Sequence, residues 1–150
     1  MKRIAVCGLA VLAAALTGCS PAPSSGADVE ARILHALPED GDSGEVRMVD
    51  ILPDARWDRL TVGCPYEEAW EMSERLQAWS GSVPDLAQRD DAQAIVLARG
   101  DAVERAWLLG RDELDLCGSG AEPEVLARDE AVLSFTRDAD GHWVADWVAD

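Results

Sequence analysis

The chain has 150 residues, and 29 acidic side chains outweigh 13 Lys and Arg for a formal charge of −16. That balance repels phosphate backbones and gives no unaided attraction to anionic lipid, so nucleic acid is excluded as a partner. It attracts a basic protein or a divalent cation, and the length suits one domain rather than two.

In chain order, Lys2 and Arg3 come first, followed by an apolar run from Ile4 to Leu16 that closes on Thr17-Gly18-Cys19. The run matches the hydrophobic region of a secretory signal and is too short to cross a hydrocarbon core of roughly 30 Å. Leu16-Thr17-Gly18-Cys19 resembles the lipobox of bacterial lipoproteins, Leu-small-Gly-Cys, at all four positions. The resemblance implies cleavage between Gly18 and Cys19, diacylglycerol on the Cys19 thiol, and a further acyl chain such as palmitate on the new amino terminus. At about 0.8 kcal/mol per buried methylene, two or three chains on one cysteine hold a protein at a membrane essentially permanently. The mature chain then carries 11 Arg against 29 acids, a formal charge of −18. By resemblance to lipoprotein sorting in diderm bacteria, Ser20 after the lipid cysteine implies the periplasmic leaflet of the outer membrane in such a cell. In a monoderm cell the same signal implies the outer face of the cytoplasmic membrane.

Residues 1–18 are therefore the expected signal peptide and 19–27, rich in Pro and Ser, the lipidated cysteine with a flexible tether. Asp28 caps a short helix with Val29, Ile33, Leu34 and Leu37 near one face, stopped by Pro38 and followed by an acidic loop to residue 45. The domain proper is expected over residues 46–150. Residues 46–52 and 59–63 read as strands. Pro65 and the acids Glu67 and Glu68 open a helix over 66–79, with Ala69, Trp70, Met72, Leu76 and Trp79 at helical spacing. The apolar run 94–98 reads as a buried strand, turned at Gly100-Asp101 into a return strand over 103–109. A last hairpin joins 131–136 to 142–148 around Asp138-Ala139-Asp140-Gly141. Strand alternation lets Leu133 and Phe135 share a face with Trp143, Ala145 and Trp147.

Trp57-Asp58-Arg59-Leu60, Cys64-Pro65-Tyr66 and Asp115-Leu116-Cys117-Gly118 resemble segments of small uncharacterised lipoproteins of GC-rich bacteria. That resemblance implies an α+β domain and brings no activity with it. With Cys7 in the signal and Cys19 acylated, Cys64 and Cys117 remain as a pair in an oxidising compartment, where a disulfide is the default. Closing that loop of about 54 residues contributes roughly 4 kcal/mol on the chain-entropy model.

Candidate chemistry is sparse. Ser119 in Gly118-Ser119-Gly120 has Cys117 where a nucleophile elbow carries glycine, and the chain's histidines are His35 and His142. Asp138, Asp140 and Asp146, or Asp112, Glu113 and Asp115, offer hard oxygen ligands for calcium, yet without the third acid and distal Glu of an EF-hand. Asp-Gly before a strand is equally turn chemistry. A glycosidase carboxylate pair has nothing in the sequence to single it out. Of the six tryptophans, Trp70 and Trp79 on the helix and Trp107, Trp143 and Trp147 on strands are read as a shared core. Alternatively, Trp57 or Trp143 stands exposed as an anchor for a basic protein partner.

The expectation is an α+β domain: an antiparallel sheet of four to six strands on one main helix, closed by Cys64–Cys117. Its expected role is that of a non-catalytic, membrane-anchored envelope lipoprotein that binds protein or serves a structural purpose, with no cofactor and no metal site. The alternatives are an extracytoplasmic enzyme or calcium or small-ligand binder using a carboxylate cluster, and an acidic inhibitor of a secreted enzyme.

Overall fold

The computed structural model describes residues 24–118, 120 and 123–146. Gly18, Cys19, Ser119 and Trp147 lie outside the described residues. The chain is α+β. Among the described residues, nine strands and three helices follow in the order β1 (Ser24–Ser25), α1 (Ala27–Ala36), β2 (Ser43–Arg47), α2 (Met48–Ile51), β3 (Arg59–Gly63), α3 (Ala69–Leu76), β4 (Gln93–Arg99), β5 (Ala102–Leu109), β6 (Leu114–Asp115), β7 (Leu126–Ala127), β8 (Val132–Arg137) and β9 (Trp143–Asp146).

The strands divide between two sheets rather than one. The first has the order β1-β5-β4-β3-β7 and the second β2-β8-β9-β6. Most neighbours are antiparallel, but β1 runs parallel to β5 and β6 parallel to β9. β4 is the centre of the first sheet. Its alternate residues feed two cores, because successive side chains of a strand point to opposite faces. Ile95 and Leu97, with Leu60 and Val62 of β3, pack into a core shared with α1, α2 and the second sheet. Ala94, Val96 and Ala98 face the other way, into a core with Met72 and Leu76 of α3 and with Leu86.

The β4–β5 pairing shifts register between Leu97 and Ala98, leaving an extra residue in β5. This bulge lets Val103 and Ala106, three positions apart, both face α3, while Trp107 and Leu109 join the opposite core. Thr61 and Gly63 of β3 also face α3 by alternation, and Gly63 is required there. A Cβ on Gly63 would stand 2.2 Å from the Met72 sulfur, so the missing side chain admits α3.

Several elements depart from the sequence expectation. Ser24–Ser25 of the expected tether form β1, and α1 begins at Ala27 with Gly26 as its cap, so Asp28 lies inside the first turn rather than capping it. The strand expected over 46–52 ends at Arg47, and residues 48–51 wind into α2. Met48 and Ile51, three apart, are buried together, a helical rather than an alternating spacing. The main helix is shorter than 66–79. A capping box starts it, with the Glu68 N–H donating to Glu71 Oε2 at 2.7 Å. Gln77, left-handed at φ 51°, ends it. Finally, α1 belongs to the domain: Val29, Ile33 and Leu37 lie in the same core as β5 and β8, so a boundary at residue 46 would cut through packed side chains.

The disulfide joins Cys64 at the end of β3 to Cys117 just beyond β6, with 5.7 Å between their Cα atoms. It links the edge strand of the second sheet to the approach of α3. The 131–136 and 142–148 hairpin forms as β8 and β9, in register Arg137 to Trp143 and Phe135 to Ala145. Leu133, Phe135, Trp143 and Ala145 share the large core, as alternation requires.

Candidate functional site

Helix α3 rests on the first sheet through Met72 and Leu76, which are fully buried. Helical residues advance by about 100° each, so Trp70 stands roughly 200° from Met72 and faces solvent. Trp79 would have fallen on the Met72 side had the helix continued. The left-handed turn at Gln77 redirects the chain, and the Trp79 N–H donates instead to the Asp101 carbonyl at 2.8 Å. Tyr66, just before the helix, sits at φ 69°, with its N–H directed to the Leu86 carbonyl at 3.0 Å. In consequence Tyr66 is 66%, Trp70 57% and Trp79 69% exposed. These are the aromatic side chains that sequence reasoning placed in the core or left unassigned. The signal for Trp70 was its two-residue offset from Met72; for Trp79 and Tyr66 the backbone turns had no sequence signature.

Trp57 and Trp143, the alternative candidates for exposed anchors, are buried at 4% each, which overturns that alternative. Each is covered by a cation. The Arg128 guanidinium carbon lies 5.5 Å from the Trp57 ring and that of Arg137 4.2 Å from the Trp143 ring. Trp107 is also buried, so the three described tryptophans outside the α3 region all serve the large core.

Around the exposed aromatics the charge is acidic. Between residues 66 and 79 stand Glu67, Glu68, Glu71 and Glu74 against Arg75. The Trp70 indole N–H donates to Glu68 Oε2, which ties the ring to the helix start. Beside them, a cleft of about 420 Å³ is lined by the disulfide cysteines, Tyr66, Glu67, Glu71 and Arg75 among others. Glu67 is the innermost acid there, its side chain only 13% exposed. It accepts the Cys64 N–H at 3.0 Å and pairs with the Arg75 guanidinium, which also donates to the Val62 carbonyl at 3.2 Å. Burial pushes the Glu67 carboxyl above its ordinary range, against the opposing pull of the Cys64 N–H and Arg75. Arg75 Nε is buried without a hydrogen-bond partner among the described residues. The carboxylate and guanidinium are thus committed mainly to each other and to holding the β3–α3 junction.

The expected calcium candidates have local uses. Asp138 accepts the N–H groups of Asp140 and His142, each at 2.9 Å, and these bonds hold its carboxyl below the usual range. That is the turn chemistry of Asp-Ala-Asp-Gly. Asp115 makes a two-pronged ion pair with Arg111 and accepts the Cys117 N–H at 2.8 Å. Among the described residues, no group of three or more His, Cys, Asp or Glu is placed to hold a metal ion. His35 and His142 are both exposed, on α1 and in the last hairpin turn. No helix among the described residues is long and apolar enough to cross a membrane. Comparison of the chain with protein-family models, with curated proteins and with solved structures finds no match.

Proposed function

We propose that this chain is a cell-envelope lipoprotein, acylated at Cys19, whose domain has no catalytic task and binds a basic partner protein through the α3 surface. The observation that carries the protein-binding part is the sorting of aromatics: Trp57, Trp107 and Trp143 are buried, while Tyr66, Trp70 and Trp79 are exposed on and beside one helix. Exposed Trp and Tyr are the side chains most enriched among interface hot spots, since each buries a large area for two rotatable bonds. The Glu side chains between them favour Arg and Lys on the partner, through charge steering and stacking of guanidinium on indole. The anchor part rests on Leu16-Thr17-Gly18-Cys19.

Two measurements test it. Mass spectrometry of the native amino-terminal peptide is expected to find Cys19 first and carrying diacylglycerol; a free Cys19 thiol or a retained residue 1–18 segment sinks the anchor. For the surface, envelope proteins retained by the acylated wild type are compared with those retained by Trp70→Ala/Trp79→Ala. Loss of a basic, salt-sensitive partner in the variant supports the reading, and identical retention overturns it.

A further inference from the structure

We infer that the domain sits on the bilayer with one particular side down, the edge of the first sheet formed by β1 and the adjoining cleft against α1, and with α3 turned away. The inference rests on the acylation of Cys19 proposed above. What is new is where the anchor meets the fold.

The sequence alone grants a tether as far as residue 27, but the chain is already committed at Ser24. β1 pairs with Trp107 and Leu108 of β5, and the Gly26 N–H donates to the Leu108 carbonyl at 2.7 Å. A Cβ at Gly26 would lie 2.6 Å from Leu109 Cγ and 2.7 Å from the Leu108 oxygen, so the chain is pressed onto the sheet there. α1 begins at the next residue and buries Val29 and Ile33. From Cys19 to Ser24 are five residue steps, which span at most roughly 17 Å even when fully extended. The β1 edge is therefore the part of the domain that acyl chains hold closest to the headgroups.

The surface at that edge suits the neighbour. A cleft of about 270 Å³ beside β1 is lined by Asp28, Arg32, Asp54, Arg105 and Trp107 among others, two Arg against two Asp. It is a locally neutral patch on a chain whose mature charge is −18. Arg105 is exposed, stacked 5.6 Å from the Trp107 ring, and free to reach phosphate. The α3 surface is the opposite case: its four Glu and one Arg are repelled by anionic lipid within a screening length of about 8 Å. The topology keeps the two apart. Trp107 and Val29 lie in the core between the sheets, whereas Met72 and Leu76 lie on the other face. α3 packs over β3, three strands from β1 and so roughly 14 Å across the sheet, whereas Trp79 precedes the Ser80–Ala102 bridge on the β1 edge of β5, five residues and so roughly 16 Å along that edge from the Ser24–Trp107 pair. The fold thus places the neutral side next to the anchor and leaves Trp70 and the acids of α3 open to a partner arriving from the aqueous side.

The test uses the full acylated protein in lipid nanodiscs containing an anionic lipid and a lipid with a paramagnetic headgroup, read by amide signal broadening. Broadening is expected to be several-fold stronger at Ser25, Asp28 and Arg105 than at Trp70, Glu71 and Glu74. Inserting about 15 Gly and Ser residues after Ser20, an r.m.s. span of roughly 20 Å, is expected to even it out with the fold unchanged. Uniform broadening in the unmodified chain overturns the orientation. Broadening strongest at Tyr66, Trp70 and Trp79 overturns it too, and makes the aromatic face a membrane contact. A protein that never enters the nanodiscs and carries no lipid at Cys19 fails at the anchor instead, which the mass of the purified chain distinguishes.

Discussion

The two faces of the first sheet are built on different principles. The face toward the second sheet presents Leu60, Val62, Ile95, Leu97 and Trp107, and it meets Phe135 and Trp143 across the interior. The face toward α3 presents Gly63, Ala94, Val96, Ala98 and Ala106. Large residues on the first face fill the space between layers and absorb every buried tryptophan that is described. Small residues on the second let a short helix approach closely on Met72 and Leu76. Trp70 and Trp79 are outside for local reasons: Trp70 points about 200° from Met72 around the helix, and the left-handed turn at Gln77 takes Trp79 off the helical path. One face thus absorbs its aromatics and the other carries them on the outside of its covering helix.

That contrast can be broken in order of effect. Cys64→Ser/Cys117→Ser removes the tie between β3 and β6 and is expected to cost about 4 kcal/mol. Denaturant unfolding of the purified variant checks it, and an unchanged midpoint would mean that the second sheet and α3 do not depend on this link. Leu97→Ala, in the filled face, is expected to cost about 3 kcal/mol through the cavity it leaves. Gly63→Ala, in the shallow face, acts by the opposite mechanism, overpacking against Met72, at about 1 to 3 kcal/mol. Amide exchange in Gly63→Ala should rise mainly along α3, with the second sheet protected as before.

The next effect is smaller and depends on pH. Burial raises the folded-state pKa of Glu67, so its neutral form is favoured by folding. The associated stability is present below the unfolded value of about 4.3 and is lost as pH rises through the higher folded value. Glu67→Gln should remove that decline, so the stability of the wild type relative to the variant falls as pH rises through this window and is level on either side of it. Parallel thermal melts from pH 4 upward read it, and a pH-independent difference would contradict the burial of Glu67. The smallest effect on stability is expected for Trp70→Ala and Trp79→Ala, within about 0.5 kcal/mol, since neither ring fills a core. A large loss in either would show that the ring supports the fold rather than awaiting a partner.

Much of the fold was legible from residue pattern. The apolar run at 94–98, the turn at Gly100-Asp101, and the Asp138-to-Gly141 hairpin all became strands and turns where local chemistry placed them. The Cys64–Cys117 pair formed as the compartment argument required. Local signals failed where a neighbour decided the outcome. Residues 48–51 carry enough apolar character for a strand, but Arg47 is the last residue of β2 to pair with β8, and the Met48 N–H then turns to the Ala131 carbonyl. Ser24 and Ser25 read as tether, and only β5, distant in sequence, makes them a strand. Of the aromatics of the candidate surface, Trp70 was legible from its two-residue offset from Met72, whereas Trp79 and Tyr66 are set by backbone turns tied to Asp101 and Leu86.

What residue order settled by itself is the charge, the lipobox-like start, the class of the fold and the Cys64–Cys117 pairing, all of which follow from composition or from local residue pattern. Two things were decided only in three dimensions: which tryptophans are inside, and how near Cys19 the domain begins. Both depend on strands that meet across long stretches of chain, and the free energy of such meetings is carried by packing that no local window contains.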